Sequence, residues 1–289
     1  METKYKANKQ LSLAFFLNLL FALIELIGGI ITNSTAIIAD AFHDFMDAIS
    51  IGIAVYMDKY SYKPASEKFT YGYRRFSLLS AIIMSAILLI GAVFMVYNGL
   101  TSISNTKEVN SVGMFALAIL GIIVNGFAFL KIKKGGTDAH HNHNHTTDAN
   151  SKAIMLHLLE DVLGWVAVLI GAIVMYFTNW FWIDNLLTIL IALFISFNAL
   201  KNLNSTFKIL LQAVPSNILI IEIKTALENI PHVKSVEQLH VWSLDGSKTI
   251  ASVTITISDL SYYNSTQSNI KQVFNSFNIQ QLTVQLNTM

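Results

Sequence analysis

Ala39-Asp40-Ala41-Phe42-His43-Asp44-Phe45-Met46-Asp47 and His157-Leu158-Leu159-Glu160-Asp161-Val162-Leu163-Gly164 each set several ionisable residues inside a long apolar run. Within each stretch a histidine precedes an aspartate by four positions, His43 with Asp47 and His157 with Asp161. On a helix, positions i and i+4 project from one face, so each stretch offers an imidazole and a carboxylate on a single stripe. An ionisable residue at the centre of a bilayer costs on the order of 2.5–3.5 kcal/mol. Several in one helix therefore call for a partner, a water-filled cavity or a bound ion. Two such stripes facing each other supply four N/O ligands, the number zinc takes in a tetrahedral site. Two carboxylates also neutralise a divalent cation where its desolvation is costly. The expected metal ligands are His43, Asp47, His157 and Asp161.

The surrounding chain is that of a membrane protein. It has 289 residues, 53% hydrophobic and 13% charged, with mean hydropathy +0.52, whereas about 25% charged residues is usual in soluble domains. Nineteen basic residues against eighteen acidic ones give a net charge of +1, which leaves no global field to recruit nucleic acid. Cysteine is absent, which excludes a disulfide framework, a thiolate nucleophile and a zinc ribbon. Apolar runs predict six spans, near residues 11–31, 36–57, 76–100, 112–132, 153–177 and 181–203. Lys4, Lys6 and Lys9 before the first run resemble the start of a signal peptide. The run is long, contains Glu25 and has no small-residue cleavage site, so it is read as a retained span. Twelve basic residues in the N-terminal segment and the 58–75 and 131–152 loops, against Lys107 alone in the alternate loops, predict that both termini are cytosolic. Counted from the cytosolic ends of their antiparallel spans, Asp47 and Asp161 both lie roughly 14 Å deep. They can meet.

Beyond Lys201 polar and apolar residues alternate and no further run could span. A helix over 217–229, strands over 233–243 and 249–258 around Asp245-Gly246-Ser247, a helix over 264–277 and a strand over 282–286 give the order αββαβ. That order predicts a small α+β domain with an antiparallel sheet, ferredoxin-like and similar to metallochaperones. The expected division is a membrane-spanning domain over 1–206 and a cytosolic domain over 207–289. About 80 residues is small for an independent core, so pairing with a second copy would help it.

The two stretches quoted first resemble the paired signatures of the cation diffusion facilitators, six-span transporters with a cytosolic C-terminal domain. Asn18 and Glu25, the segment Thr70-Tyr71-Gly72-Tyr73-Arg74-Arg75, Asn125, and Leu239-His240-Val241-Trp242-Ser243-Leu244 also match. The resemblance implies a homodimeric antiporter in the cell membrane that exports zinc, or similar cations, in exchange for protons. Histidine in both spans is similar to the zinc-preferring branch, whereas manganese-type members carry aspartate in both. Co²⁺, Cd²⁺ and Fe²⁺ also suit two histidines and two aspartates. No catalytic cofactor is expected.

Other residues carry open readings. Asp40 serves as a gate or proton relay, or simply begins the helix beside Asn33 and Ser34. Glu25, deep in the first span, is protonated, paired or in an aqueous vestibule, and is a candidate for proton coupling. Asp44 and Glu160 sit about 100° off the ligand stripe and are expected to pair with Lys or Arg or to face water. His140, His141, His143 and His145 lie in a His-rich loop over 133–151, read as a metal-capturing segment or a soluble spacer. Two departures from the family stand out. The 58–75 loop has Phe69 and Tyr73 but no histidine where some members hold a further metal. In the tail, Glu237, Val253, Gln285 and Asn287 occupy positions that ligate metal in others. His240 remains, and packing against Trp242 is its expected role. Two rival functions use the same residues: a membrane metal sensor or scaffold without transport, and an intramembrane metalloenzyme. The enzyme is disfavoured because four protein ligands close the site and no HExxH is present.

Overall fold

The computed structural model describes residues 16, 19–61, 63–103, 106–137 and 145–288, with side chains left aside at 50, 51, 54, 55, 58, 59, 61, 131–137 and 145–158. Six helices come first: α1 (Leu19–Thr32), α2 (Thr35–Ser61), α3 (Phe76–Ser102), α4 (Ser111–Thr137), α5 (His145–Thr178) and α6 (Trp182–Leu210). Four of them, α3 to α6, contain stretches long and apolar enough to cross a membrane. The described part of α1 is shorter, and α2 carries Asp40, His43, Asp44 and Asp47 within its first half. Two helices overrun their expected limits. α5 begins at His145, eight residues before its apolar run, and α6 continues to Leu210. Hydropathy marks where the chain is apolar, and neither polar extension contains a proline or glycine to stop the helix.

The chain divides into two compact units. The first takes in the described residues up to Gly52 with Ala86–Leu200. Its core joins Ala36 and Ile37 of α2, Met114 and Ala118 of α4, and Trp165, Val168 and Ala172 of α5. A second cluster joins Ala92 of α3 to Ala192 and Ile195 of α6. Alanines at these contacts let helix backbones approach closely, as in lipid, where packing replaces the hydrophobic drive between helices. On α3, Ile90, Phe94 and Tyr97 form an i, i+4, i+7 stripe that is 71%, 65% and 64% exposed. An apolar stripe this open does not face the core of this unit. α2 starts abruptly because Asn33 takes a left-handed conformation (φ 55°) after α1, and the Ser34 N–H bonds back to the Gly29 carbonyl at 3.0 Å. The Ser34 hydroxyl then caps α2 by accepting the Ile37 N–H at 3.2 Å.

The second unit comprises Ile53–Ser85 and Lys201 onward. It contains α7 (Ile220–Glu228), β1 (Val233–Ser243), β2 (Thr249–Ile257), α8 (Tyr263–Ser276) and β3 (Gln281–Thr288). Alternation in β2 sends Ala251, Val253, Ile255 and Ile257 into a core with Ile223 and Leu227 of α7 and Ile270 and Phe274 of α8. β1 and β2 are antiparallel as expected. β3, however, pairs parallel to β2, so the sheet is mixed and not antiparallel. The reason is the intervening α8, because a helical crossover returns the chain in the same direction as the strand it left.

At the β1–β2 turn, Asp245 Oδ1 accepts the N–H groups of Ser247 and Lys248 at 2.9 and 2.8 Å. Its other oxygen accepts from Arg74 at 3.1 Å. Burial would raise the Asp245 carboxyl, but the donors from Lys248, Ser247 and Arg74 outweigh it and hold it below the usual carboxylate range. The turn's contribution is thus present above the unfolded value and lost as pH falls through the depressed folded one. Asp245→Ala should cost about 1–2 kcal/mol at neutral pH. Thermal unfolding of the two proteins should converge as the pH drops below about 4.

A β-carbon at Gly121 of α4 would stand 2.3 Å from the Trp165 ring, which is fully buried and cannot yield. One at Gly126, on the same helix, would meet nothing within 4 Å. Gly121→Val should therefore lose about 1–3 kcal/mol through overpacking. Gly126→Ala should unfold at or slightly above the wild-type temperature.

Candidate metal centre

His43 and Asp47 share a face of α2, as their spacing requires, and His43 Nε2 lies 3.7 Å from Asp47 Oδ2. Their side chains are 17% and 22% exposed, open enough to reach a bound ion yet largely removed from solvent. Asp161 of α5 is half-buried. A cavity of about 250 Å³ lies against these helices, and Asp40, His43, Glu160 and Asp161 supply its ionisable lining. Leu163, Leu190, Ile191 and Phe194 are among the apolar residues that make up most of the rest. The cavity therefore joins the imidazole of one expected stripe to the carboxylate of the other. Its apolar walls strengthen any charge interaction inside it.

The expected residues divide as follows. His43 and Asp161 line the cavity together, whereas Asp47 does not line it and instead faces His43. The side chain of His157 lies outside the described residues, as do His140, His141 and His143 and the side chain of His145. Among the described residues no three His, Asp or Glu side chains converge as a metal-holding group. Asp40 stands in the second turn of α2, on the cavity wall rather than at the helix start. Glu25 is 1% exposed, with Asp44, Asp40 and Asp161 as acidic neighbours.

Several surroundings differ from expectation. Asp44 does not face water, and among the described residues no Lys or Arg pairs with it. It is 7% exposed and turned toward Glu25, because a helix position 100° off the ligand stripe here points at α1. Glu160 is exposed as expected, yet it also lines the cavity. Asn125 is buried, and its amide nitrogen donates to no described residue.

Sequence reasoning missed Asp184. It is 2% exposed in the first turn of α6 and binds the start of α2 through Ser34 Oγ at 2.6 Å and Thr35 N at 2.6 Å. A lone acidic residue at the edge of an apolar run was the available signal, and it does not by itself name a partner.

The two family-variant regions hold no alternative centre among the described residues. In the 63–75 loop, the Phe69 and Tyr73 rings are 4.8 Å apart and join Tyr60 and Phe76. Lys63 lies 3.9 Å over the Tyr60 ring. Aromatic packing occupies this region. In the tail, Thr256 donates to Glu237, Val253 is in the core, and Gln285 bonds Asn287 at 3.3 Å. His240 is exposed and lines a shallow pocket with Trp242.

Residues 11–211 match the cation efflux transmembrane domain, and residues 215–288 match the cation efflux protein cytoplasmic domain. The metal cation efflux system protein CzcD of Cupriavidus metallidurans is 32% identical over 251 residues, 86% of this chain and 76% of its own length. The cadmium, cobalt and zinc/H(+)-K(+) antiporter of Bacillus subtilis is 28% identical over 286 residues, 98% of this chain and 90% of its own. The human probable proton-coupled zinc antiporter SLC30A4 is 31% identical over 304 residues, 97% and 70% of the two chains. Two helices that bring an imidazole and a carboxylate to one apolar cavity, within a chain matched along nearly all its length, lead to one conclusion: the chain belongs to the cation efflux family, the cation diffusion facilitators.

Proposed function

We propose that this chain is a divalent metal efflux transporter, with Zn²⁺ as its main cargo, that exchanges cytosolic metal for protons by alternating access. The observation that carries the reading is the cavity lined by His43 and Asp161, one from each ligand stripe, inside apolar walls. Its relatives bear the names of zinc, cadmium and cobalt transporters, and Cd²⁺, Co²⁺ and Fe²⁺ fit the same donors. His43, Asp47, His157 and Asp161 form the transport site. A metal binds deprotonated imidazole and carboxylate, so loading the site expels protons and protonation releases the metal. The same four groups couple both gradients. Asp40, one turn along the cavity wall, and Glu25 serve as gate or proton-coupling groups. Family members are transporters, and this chain acts as one rather than as an enzyme.

In this reading residues 1–206 cross the cell membrane six times, with α1 and α2 as the first two spans and both termini cytosolic. Residues 207–289 form the dimerisation domain of a homodimer. The His-rich loop over 133–151 gathers cytosolic metal for the cavity. Its neutral imidazoles bind metal adaptably but lack the rigid outer support of a transport site.

In proteoliposomes, a zinc gradient should drive proton flux through the wild type. Asp47→Ala and Asp161→Ala should each reduce that flux to the level of protein-free vesicles. Undiminished exchange in either variant would refute the four-ligand site.

A further inference from the structure

The geometry points to Asp184 as a positioning residue for transport: it pins the first turn of α2 onto α6 and so sets where His43 and Asp47 stand. Among the described residues it belongs to no group of three or more His, Asp or Glu. Its Oδ1 accepts from the Ser34 hydroxyl at 2.6 Å and more distantly from the Ala36 N–H at 3.4 Å. Its Oδ2 accepts from the Thr35 N–H at 2.6 Å and the Thr35 hydroxyl at 2.8 Å. One turn along α6, the Thr188 hydroxyl lies 2.7 Å from that of Thr35 and also reaches the Asp184 carbonyl at 2.9 Å. The neighbouring Asn185 amide donates to the Ser102 carbonyl at 3.0 Å, which ties the same end of α6 to the end of α3.

Every one of these partners is neutral. The carboxylate sits at the N-terminal ends of both α2 and α6, where the helix dipoles favour negative charge. Ser34, Asp184, Asn185 and Thr188 are all 5% exposed or less. Hydrogen bonds to a carboxylate are the strong ones, and here four converge on one side chain. α2 is continuous from Thr35 to Ser61. His43 and Asp47 therefore stand eight and twelve residues along a stiff rod, about 12 and 18 Å from the pin. A one-residue slip at the cap would turn His43 by about 100° away from the cavity and Asp47 with it. The carboxylate thus fixes the height and rotation of half of the ligand set without touching the ion.

This inference rests on the transport reading, and the test separates the two. Full-length wild type, Asp184→Asn, Asp184→Ala, Ser34→Ala, Thr188→Val and His43→Ala are purified and the monodisperse folded fraction of each is reconstituted. Zinc-driven proton flux is measured against zinc concentration, with cadmium in parallel. Half-saturating zinc should rise about tenfold in Asp184→Ala, the scale of coupling between separated sites, with a narrowed zinc-to-cadmium ratio. Asp184→Asn, which keeps one acceptor, should recover part of that loss. Ser34→Ala and Thr188→Val should each show a smaller shift, and they carry the test if Asp184 variants do not fold. A loss of folding yield alone would lower total flux but leave half-saturation and metal ratio unchanged. Wild-type values of both quantities in the folded variants overturn the positioning role. If His43→Ala also transports normally, the transport reading fails instead.

Discussion

A doubly charged ion in hydrocarbon must be met by ligands that replace its water and cancel its charge, and under the proposed function that constraint accounts for most of what is unusual in this chain. Membrane helices avoid acids and imidazoles, yet α2 carries four ionisable residues in its first thirteen positions. Their distribution follows the 3.6-residue period, with His43 and Asp47 on one stripe and Asp44 turned to Glu25. α5 returns the pattern with Asp161 on the same cavity. Were these residues only structural, nothing would require that their carboxylate and imidazole share an apolar pocket rather than separate ion pairs.

The rest of the helical unit holds those stripes still. Trp165, four residues beyond Asp161, is locked against Gly121 of α4, and Phe42, the neighbour of His43, lies within 2.3 Å of where a β-carbon on Gly91 would stand. Small residues thus admit large rings beside His43 and Asp161, which leaves α2 and α5 little freedom to rotate. Asp184 adds a polar anchor at the start of α2. In the other unit, the small sheet and two helices bury Ile, Val and Phe in an ordinary soluble core, while the loop at 63–75 is organised by rings and by the Arg74–Asp245 contact.

The features legible from sequence are those with a local period or a high cost. Alternation in β2 and the helical period of α7 and α8 located the tail elements within a few residues, because each element's pattern depends on its own core face. That His43 and Asp161 line one cavity was legible because charges in an apolar run demand a reason. Strand direction was not, since residues 281–288 alternate alike in a parallel or an antiparallel pairing and only the α8 crossover decides. The partners of Asp184 were hidden because they lie about 150 positions away. Asp44 was misjudged because helix spacing gives its angle to the ligands but not which neighbour fills that angle.

The central claim is that two imidazoles and two carboxylates share one cation. X-ray absorption at the zinc edge tests it most directly, using full-length protein with His140, His141, His143 and His145 changed to Asn and loaded with one zinc per chain. A four-coordinate shell of nitrogen and oxygen at about 2.0–2.2 Å, with scattering from two imidazoles, is the predicted result. A six-coordinate shell of oxygens, or one with a single imidazole or none, would contradict it.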